Sequence, residues 1–156
     1  MLSNKKDAKV LERAKRLNIS SMNFNKSDFF TSDKILTILK ENADFIVLAG
    51  FLWKIPAKII DEFPNKIINI HPALLPKYGG KGMYGMHVHE AVVKNNETAS
   101  GITIHYVNEN YDEGAIIFQK SFKVLPTDTV ENVAEKIHKL EYEYFPKIIE
   151  QVVLDL

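Results

Sequence analysis

The chain has 156 residues, of which 46% are apolar, and this length and balance predict a single globular domain over residues 1–156. Its 20 basic and 20 acidic side chains give a formal net charge of zero, which provides no overall attraction to nucleic acid or to an anionic membrane surface. The absence of cysteine excludes disulfides, thiolate nucleophiles and zinc–thiolate sites, and it fits a cytoplasmic location.

Membrane-spanning and secretory segments are not expected. No apolar run approaches the roughly 20 residues that cross a bilayer. The start, MLSNKKDAKV, lacks the apolar segment of a signal peptide. We therefore expect neither a membrane nor nucleic acid among its partners.

The first half of the chain alternates helical and strand patterns. Apolar residues at helical spacing predict a helix over residues 7–18, and Ser32 is a candidate cap for a second one. The run FIVLAGF (45–51) predicts a strand buried on both faces. A helical pattern at 56–63 joins it to a second apolar run, KIINI (66–70), which predicts a β–α–β unit with parallel strands.

The second half continues this alternation. A helix is predicted over residues 89–95, followed by strands at GITIHYV (101–107) and AIIFQKSF (115–122). The last predicted helix begins near Asp128, which forms a capping-box pattern with Glu131, and Pro146 is expected to kink or break it.

This element order predicts an α/β fold with an open, mostly parallel sheet and helices on both faces. Ligands of such folds bind outside the carboxyl ends of the strands. Loops 50–55, 69–76 and 108–114 are therefore expected to meet at one edge of the sheet.

The segment NIHPALLP carries the best candidates for chemistry. Asn69 and His71 end a strand, and residues two apart on a strand point to the same side. An amide and an imidazole placed in this way can stabilise an oxyanion, and the imidazole can also carry a proton. The alternative is that Asn69 caps the loop and His71 is an ordinary hydrogen-bonded residue. The loop contains two prolines, Pro72 and Pro76, which argue against this alternative.

Asp112, in the turn NENYDEG, is the candidate partner of His71. A neighbouring carboxylate would raise the pKa of His71 and keep the imidazole protonated near neutral pH. The alternative for Asp112 is ordinary turn chemistry.

Two further motifs receive plainer interpretations. The glycines of YGGKGMYGM (78–86) lack the spacing of a phosphate-binding loop, so a mobile surface loop or lid is predicted. His87 and His89 form an H-x-H pattern, but no third ligand is evident, and no metal site is predicted.

Two groups of residues fit ligand contacts. Leu52, Trp53 and Ile55 follow a strand and suit a flat aromatic ligand, although they fit a core-capping cluster as well. Glu141 falls near the inner stripe of the last helix beside His138, where a carboxylate needs a cation or a ligand amine. An intrachain salt bridge is the alternative for Glu141.

The segments LAGF, NIHPALLPKY, SGITIHYVNENYDEGAII and HKLEYEYFP together strongly resemble the phosphoribosylglycinamide formyltransferase family, the folate-dependent glycinamide ribonucleotide transformylases of purine biosynthesis. The resemblance covers essentially the whole chain. It implies a Rossmann-like formyltransferase fold and transfer of a formyl group from 10-formyltetrahydrofolate to the amine of glycinamide ribonucleotide. In that chemistry the amine attacks directly, without a covalent enzyme intermediate or a metal.

The resemblance also implies residue roles. Asn69, His71 and Asp112 match the catalytic positions, and Thr103 and His105 match positions that support them. The folate-binding positions are matched by Leu52, Trp53, Lys54, Ile55, Asn69, Asn108, Glu109, Asn110, Tyr111, Asp112 and, in a looser alignment, Lys26. The positions that hold the glycinamide end of the nucleotide are matched by His138 and Glu141.

The beginning of the chain departs from this family. Its members usually start with a strand and a glycine- and serine-rich loop that binds the nucleotide phosphate at a helix start. Here MLSNKKDA corresponds to the second strand. We therefore expect an unpaired groove in the sheet and no phosphate site, either in a fragment or mis-started reading frame or in a chain whose gap another chain fills. A monomer or weak homodimer is expected.

Three alternative functions remain open. Methionyl-tRNA formyltransferases share the region around the histidine but add a tRNA-binding domain. Formyltetrahydrofolate hydrolases share the catalytic positions but differ in the HPALLPKY loop. An inactive fragment that only binds folate is the third alternative.

Overall fold

The computed structural model describes residues 1–156, which form two compact units, Met1–Ala43 and Asp44–Leu156. The expectation of one domain stays a prediction. The strands are β1 (Leu2–Ser3), β2 (Met22–Asn23), β3 (Ile46–Leu48), β4 (Ile67–His71), β5 (Ala99–Tyr106) and β6 (Ile116–Lys123). The helices are α1 (Lys9–Arg16), a π-helix (Ser27–Thr31), α2 (Lys34–Asn42), α3 (Ala57–Glu62), α4 (Met86–Lys94) and α5 (Val130–Leu154).

The first unit contains a short parallel pair of strands, β1 and β2. Phe24, Phe29 and Ile35 are its large buried residues, and the rings of Phe24 and Phe29 lie 5.3 Å apart. The sequence predicts neither β2 nor the π-helix, since two residues of strand and one wide helical turn leave no periodic pattern. Asp33 directly precedes α2 and its side chain makes no capping hydrogen bond, whereas the hydroxyl of Ser32, the predicted cap, accepts from the N–H of Lys34 at 3.4 Å.

The second unit contains a four-stranded sheet in the order β3-β4-β5-β6. β3 and β4 are parallel, as the β–α–β pattern predicts. β5 is antiparallel to both of its neighbours, so β6 runs in the same direction as β4. Three of the four strands therefore share one direction, and the prediction of an α/β fold with a mostly parallel sheet is confirmed.

The prediction that β3 is buried on both faces is wrong. Val47, at its centre, is 40% exposed, and neither of its neighbours in the strand is fully buried. β3 lies at the edge of the four-stranded sheet and pairs only with β4. The edge position explains the exposure, because a continuous apolar run is fully covered only when neighbours flank the strand. The expectation of a missing first strand stays a prediction.

The two faces of β4 and β5 have different roles. Ile137, Leu140 and Tyr144 of α5 pack against one face. That face presents Ile68, Ile70, Ile102 and Ile104. The other face carries polar residues in register across the two strands: Asn69 pairs with His105, and His71 pairs with Thr103. The sheet therefore places an apolar core on one side and a row of chemically active side chains on the other.

The start and the middle of α5 differ from the predictions. Thr129, not Asp128, caps the helix, and it exchanges hydrogen bonds with Asn132 in a capping box. Asp128 instead accepts hydrogen bonds from the backbone N–H of Leu125 and from Lys136. Pro146 does not break the helix, which has 25 residues in all and continues past the proline to Leu154. No helix combines the length and the apolar character needed to cross a membrane.

Candidate active site

Asn69, His71 and Asp112 form one cluster, although they come from distant parts of the chain. The Nδ1 atom of His71 lies 3.5 Å from Oδ2 of Asp112. His105, on β5, links the other two: its Nε2 atom lies 3.2 Å from Nδ2 of Asn69 and 3.7 Å from Oδ1 of Asp112. The structure thus brings together the strand-end pair and the opposite loop, as the sequence predicts.

His105 fixes the orientation of the Asn69 amide. Its Nδ1 atom lies 2.8 Å from the carbonyl oxygen of Tyr106, which can only accept, so Nδ1 carries a proton. In the neutral ring, Nε2 is then an acceptor and receives a hydrogen bond from the Asn69 amide nitrogen. The second N–H of that amide has no protein partner and is available to a ligand oxygen.

His71 is almost fully buried, with 3% of its surface exposed. Its Nε2 atom donates to the carbonyl oxygen of Tyr78 at 2.7 Å. Burial lowers the pKa of His71 below its ordinary value, although the Asp112 carboxylate and the Tyr78 carbonyl act in the opposite direction. The prediction of a raised pKa is therefore wrong, because it counted the carboxylate and left out the loss of solvent.

Asp112 is held by the backbone as well as by the imidazoles. It adopts a left-handed conformation, with φ of 57°, which aspartate tolerates better than most residues. Its Oδ2 atom accepts a hydrogen bond of 2.8 Å from the N–H of Gly80. Burial alone would raise the pKa of Asp112, but the contacts with His105, His71 and Gly80 outweigh it, so the pKa lies below its ordinary value.

Thr103 supports the loop that follows His71. Its hydroxyl donates to the carbonyl oxygen of Ala73 at 2.6 Å and accepts from the N–H of Leu75 at 3.0 Å. The amide nitrogen of Gln119 donates to the same hydroxyl and to the carbonyl of Leu75, at 2.9 and 3.0 Å. Sequence analysis missed Gln119, and no sequence signal identifies it, since its contacts are to a hydroxyl and a backbone carbonyl far along the chain.

Replacing the buried hydroxyl of Thr103 should lower the stability of the fold. Thr103→Val keeps the shape of the side chain but removes the hydrogen bonds of the Ala73 carbonyl and the Leu75 N–H and one of the two made by the Gln119 amide, so we expect the free energy of unfolding to fall by about 2–4 kcal/mol. Urea denaturation would measure the loss. Ser100→Ala is the matched control, because the Ser100 hydroxyl lies buried in the same strand without any partner. Equal destabilisation in the two variants would contradict the supporting role of Thr103.

The predicted folate-binding residues fall into two segments and one isolated position. After β3, Leu52 is 40% exposed, Lys54 is exposed and Trp53 is half-buried, but Ile55 is only 7% exposed. The expectation that Ile55 lies exposed at a binding edge is therefore wrong, because it belongs to the core.

In the loop before Asp112, the side chain of Asn108 accepts a hydrogen bond from the N–H of Asn110. Asn108, Glu109 and Asn110 are exposed, and Tyr111 is half-buried. Lys26 is exposed in the first unit.

Glu141 makes no salt bridge, which removes the alternative interpretation of this residue. It is partly buried on α5, and burial raises the pKa of its carboxyl group, while His138 opposes the rise. His138 itself is exposed on the same helix, with its ring 6.3 Å from that of Tyr142. A half-buried carboxyl group beside an exposed imidazole can accept a hydrogen bond from a ligand amine.

The two histidines of the H-x-H motif lie in different surroundings. His87 is exposed and its ring lies 5.2 Å from that of Tyr84, whereas His89 is buried. No group of three or more potential ligands in residues 1–156 could hold a metal ion. The absence of a metal cofactor stays a prediction.

His89 should make the protein sensitive to acid. Burial and then the nearby His138 lower the pKa of His89 in the folded chain, and its Nδ1 atom has no partner. Below about pH 6.5 the unfolded chain takes up a proton that the folded chain resists, so the free energy of unfolding falls by up to about 1.4 kcal/mol per pH unit. His89→Leu should lose less stability than the unmodified chain between about pH 7.5 and pH 5.5. His87→Leu is the control. If His87→Leu and His89→Leu lose the same free energy of unfolding over this pH range, His89 is not the cause of the acid sensitivity.

Comparison with known proteins identifies the family of the chain. The family model described as formyl transferase matches residues 1–149. The chain belongs to the formyl transferase family. A phosphoribosylglycinamide formyltransferase of Bacillus subtilis is 34% identical over 158 residues, which cover 98% of this chain and 78% of that relative. The crystal structure of the phosphoribosylglycinamide formyltransferase of Anaplasma phagocytophilum superposes with a TM-score of 0.88 and 33% identity, covering 99% of this chain and 73% of that one.

Other members of the formyl transferase family are considerably longer. The chloroplastic phosphoribosylglycinamide formyltransferase of Arabidopsis thaliana is 40% identical over 155 residues, 96% of this chain, but those residues are only 53% of the plant protein. The chain thus spans about half the length of that curated relative.

Proposed function

We propose that this chain transfers the formyl group of 10-formyltetrahydrofolate to the amine of glycinamide ribonucleotide, a step of de novo purine biosynthesis. The observation that carries the proposal is the cluster of Asn69, His71 and Asp112, in which the imidazole of His71 lies beside the Asp112 carboxylate and His105 links that carboxylate to the Asn69 amide. The names of the similar proteins support the choice of substrates.

The reaction needs stabilisation of negative charge and movement of protons. The substrate amine attacks the formyl carbon, a new carbon–nitrogen bond forms, and the carbonyl oxygen becomes an oxyanion. The unpaired N–H of Asn69 donates to that oxygen, and the His71 imidazole, once it is protonated at Nδ1, stabilises the negative charge by its own positive charge. Asp112, whose low pKa keeps it ionised, accepts the proton that the attacking nitrogen loses. The tetrahedral intermediate then collapses, the bond to the folate nitrogen breaks, and that nitrogen takes up the proton that Asp112 accepted.

The remaining residues bind the two substrates. Leu52, Trp53 and Lys54, with the loop from Asn108 to Asp112, bind the folate. His138 and Glu141 hold the glycinamide end of the nucleotide, where the partly buried carboxyl of Glu141 accepts from an amine. Ile55 supports the folate segment from the core. Lys26 is assigned to folate binding as well.

The co-substrate and partners follow from this assignment. The family implies a formyl-folate co-substrate, and the reaction requires no metal. We expect a monomer or weak homodimer in the cytoplasm that binds neither nucleic acid nor membrane.

Product analysis separates the candidate activities. The chain would be incubated with 10-formyltetrahydrofolate, with and without glycinamide ribonucleotide, and the formylated nucleotide and free formate would be quantified. Formylated nucleotide that depends on the amine supports the proposal. Formate release independent of the amine supports a hydrolase, and folate binding without turnover supports a binding protein; either result contradicts the proposal.

A further inference from the structure

The side chain of Tyr78 is fixed by a group of polar residues, which we call the Tyr78 clamp: Tyr78, Lys77, Asn95 and Glu97. The Tyr78 hydroxyl donates to Oε1 of Glu97 and accepts from Nδ2 of Asn95, both at 2.9 Å. Lys77 reaches both carboxylate oxygens of Glu97, at 3.0 and 3.1 Å. The ring packs beside the buried cluster of Val92, Val124 and Val133. Both the ring and the hydroxyl of Tyr78 are therefore held in place.

The backbone of the same residue reaches the catalytic cluster. Tyr78 has a φ of 57°, a left-handed conformation that a bulky residue adopts only when its surroundings impose it. Its carbonyl accepts the hydrogen bond from Nε2 of His71 at 2.7 Å, and two residues later the N–H of Gly80 donates to Asp112. A Cβ atom at Gly79 would lie 2.6 Å from Cδ2 of Leu75 and 3.3 Å from Cβ of Asp112. The segment 78–80 thus packs closely against the cluster.

This contact decides which nitrogen of His71 carries a proton. A carbonyl oxygen only accepts, so Nε2 of His71 is protonated in the neutral ring, and Nδ1, the atom that faces Asp112, is the one that gains and loses a proton. Without the Tyr78 carbonyl, the neutral ring would be free to move its proton to Nδ1, where the carboxylate attracts it.

We propose that Tyr78 is a positioning residue for formyl transfer: the clamp holds its carbonyl against Nε2 of His71 and so selects the tautomer in which Nδ1 exchanges protons next to Asp112. The inference rests on the proposed function for its catalytic consequence, but the effect on His71 is independent of any substrate. A clamp that served only to hold the turn would leave the tautomer of His71 unchanged.

The test uses the full chain and two variants. Tyr78→Phe removes only the hydroxyl, and Glu97→Gln weakens the acceptor without changing its shape. Glu143→Gln is the matched control, because it makes the same change in the exposed pair formed with Lys147 on α5. Imidazole ¹⁵N NMR reports the tautomer and pKa of His71 in each protein, and thermal denaturation verifies that each is folded.

We expect Tyr78→Phe and Glu97→Gln to populate the Nδ1-protonated tautomer and to lower kcat by about 10- to 100-fold, with KM changed much less. Glu143→Gln should change neither. An unaltered His71 tautomer in both folded clamp variants would overturn the inference, even if their activity fell. If the tautomer follows Tyr78 but the unmodified chain transfers no formyl group, the proposed function is wrong and the link between the clamp and His71 stands.

Discussion

His71→Gln should lower kcat for formyl transfer by about 10²- to 10⁴-fold, the usual contribution of a positioned proton carrier and oxyanion donor. Glutamine retains an N–H that can donate to the Tyr78 carbonyl, so the loop keeps one of its contacts, but it cannot take up or release a proton. Steady-state kinetics with both substrates would measure the change. Folate binding, followed by fluorescence or calorimetry, should remain within a few-fold of the unmodified chain, because no predicted folate contact is removed.

His87→Gln is the control for this substitution. His87 lies only 16 residues further along the chain, but it is exposed and takes no part in the cluster. Its replacement should leave kcat within about twofold, since surface substitutions are usually near neutral. Equal rates for His71→Gln and the unmodified protein would place the chemistry elsewhere in the fold.

Asp112→Asn should reduce kcat/KM by about 10²-fold or more and also change the dependence on pH. The amide oxygen can still accept the N–H of Gly80, so the turn is preserved. Because the Asp112 charge is one of the two influences that raise the pKa of His71 against burial, its removal lowers that pKa further. Activity that depends on protonated His71 declines as pH rises through that pKa. The decline should therefore begin at a lower pH in the variant.

Glu113→Gln provides the comparison, as it removes a negative charge from the neighbouring, exposed position. It should shift neither the rate nor the pH profile appreciably, because exposed charges are screened by solvent. A pH profile of Asp112→Asn that superposes on that of the unmodified protein would show that the carboxylate does not act on His71.

The parts of the site predicted from sequence are those encoded by side chains near strand ends. Asn69 and His71 lie at the end of an apolar run followed by proline, and Asp112 lies in a turn, so strand geometry and topology suffice to bring them together. Tyr78 and Gly80 contact the cluster through backbone atoms, which every residue possesses. A sequence therefore does not reveal their roles, and it predicts only a mobile surface loop or lid for this segment.

Errors in the predicted fold and electrostatics have a common physical origin. The continuous apolar run predicts that β3 is buried, and the position of Ile55 after that strand predicts that it is exposed, yet Val47 is exposed at a sheet edge and Ile55 is buried. Likewise, the pKa of His71 depends on how completely the ring is removed from water, as well as on its neighbour. Burial is a property of the assembled chain, and short-range patterns encode it incompletely.

The register of β4 against β5 couples chemistry to foldability. Alternate residues of β5 supply the core isoleucines and the polar pair Thr103 and His105. Deleting a single residue early in β5 would move each of the following side chains to the opposite face of the sheet. The His105 imidazole would then face the apolar core, and the isoleucines would face the active site. A one-residue shift in the register of this strand would therefore remove the core contacts and the active-site side chains at the same time, so activity and stability would be lost together.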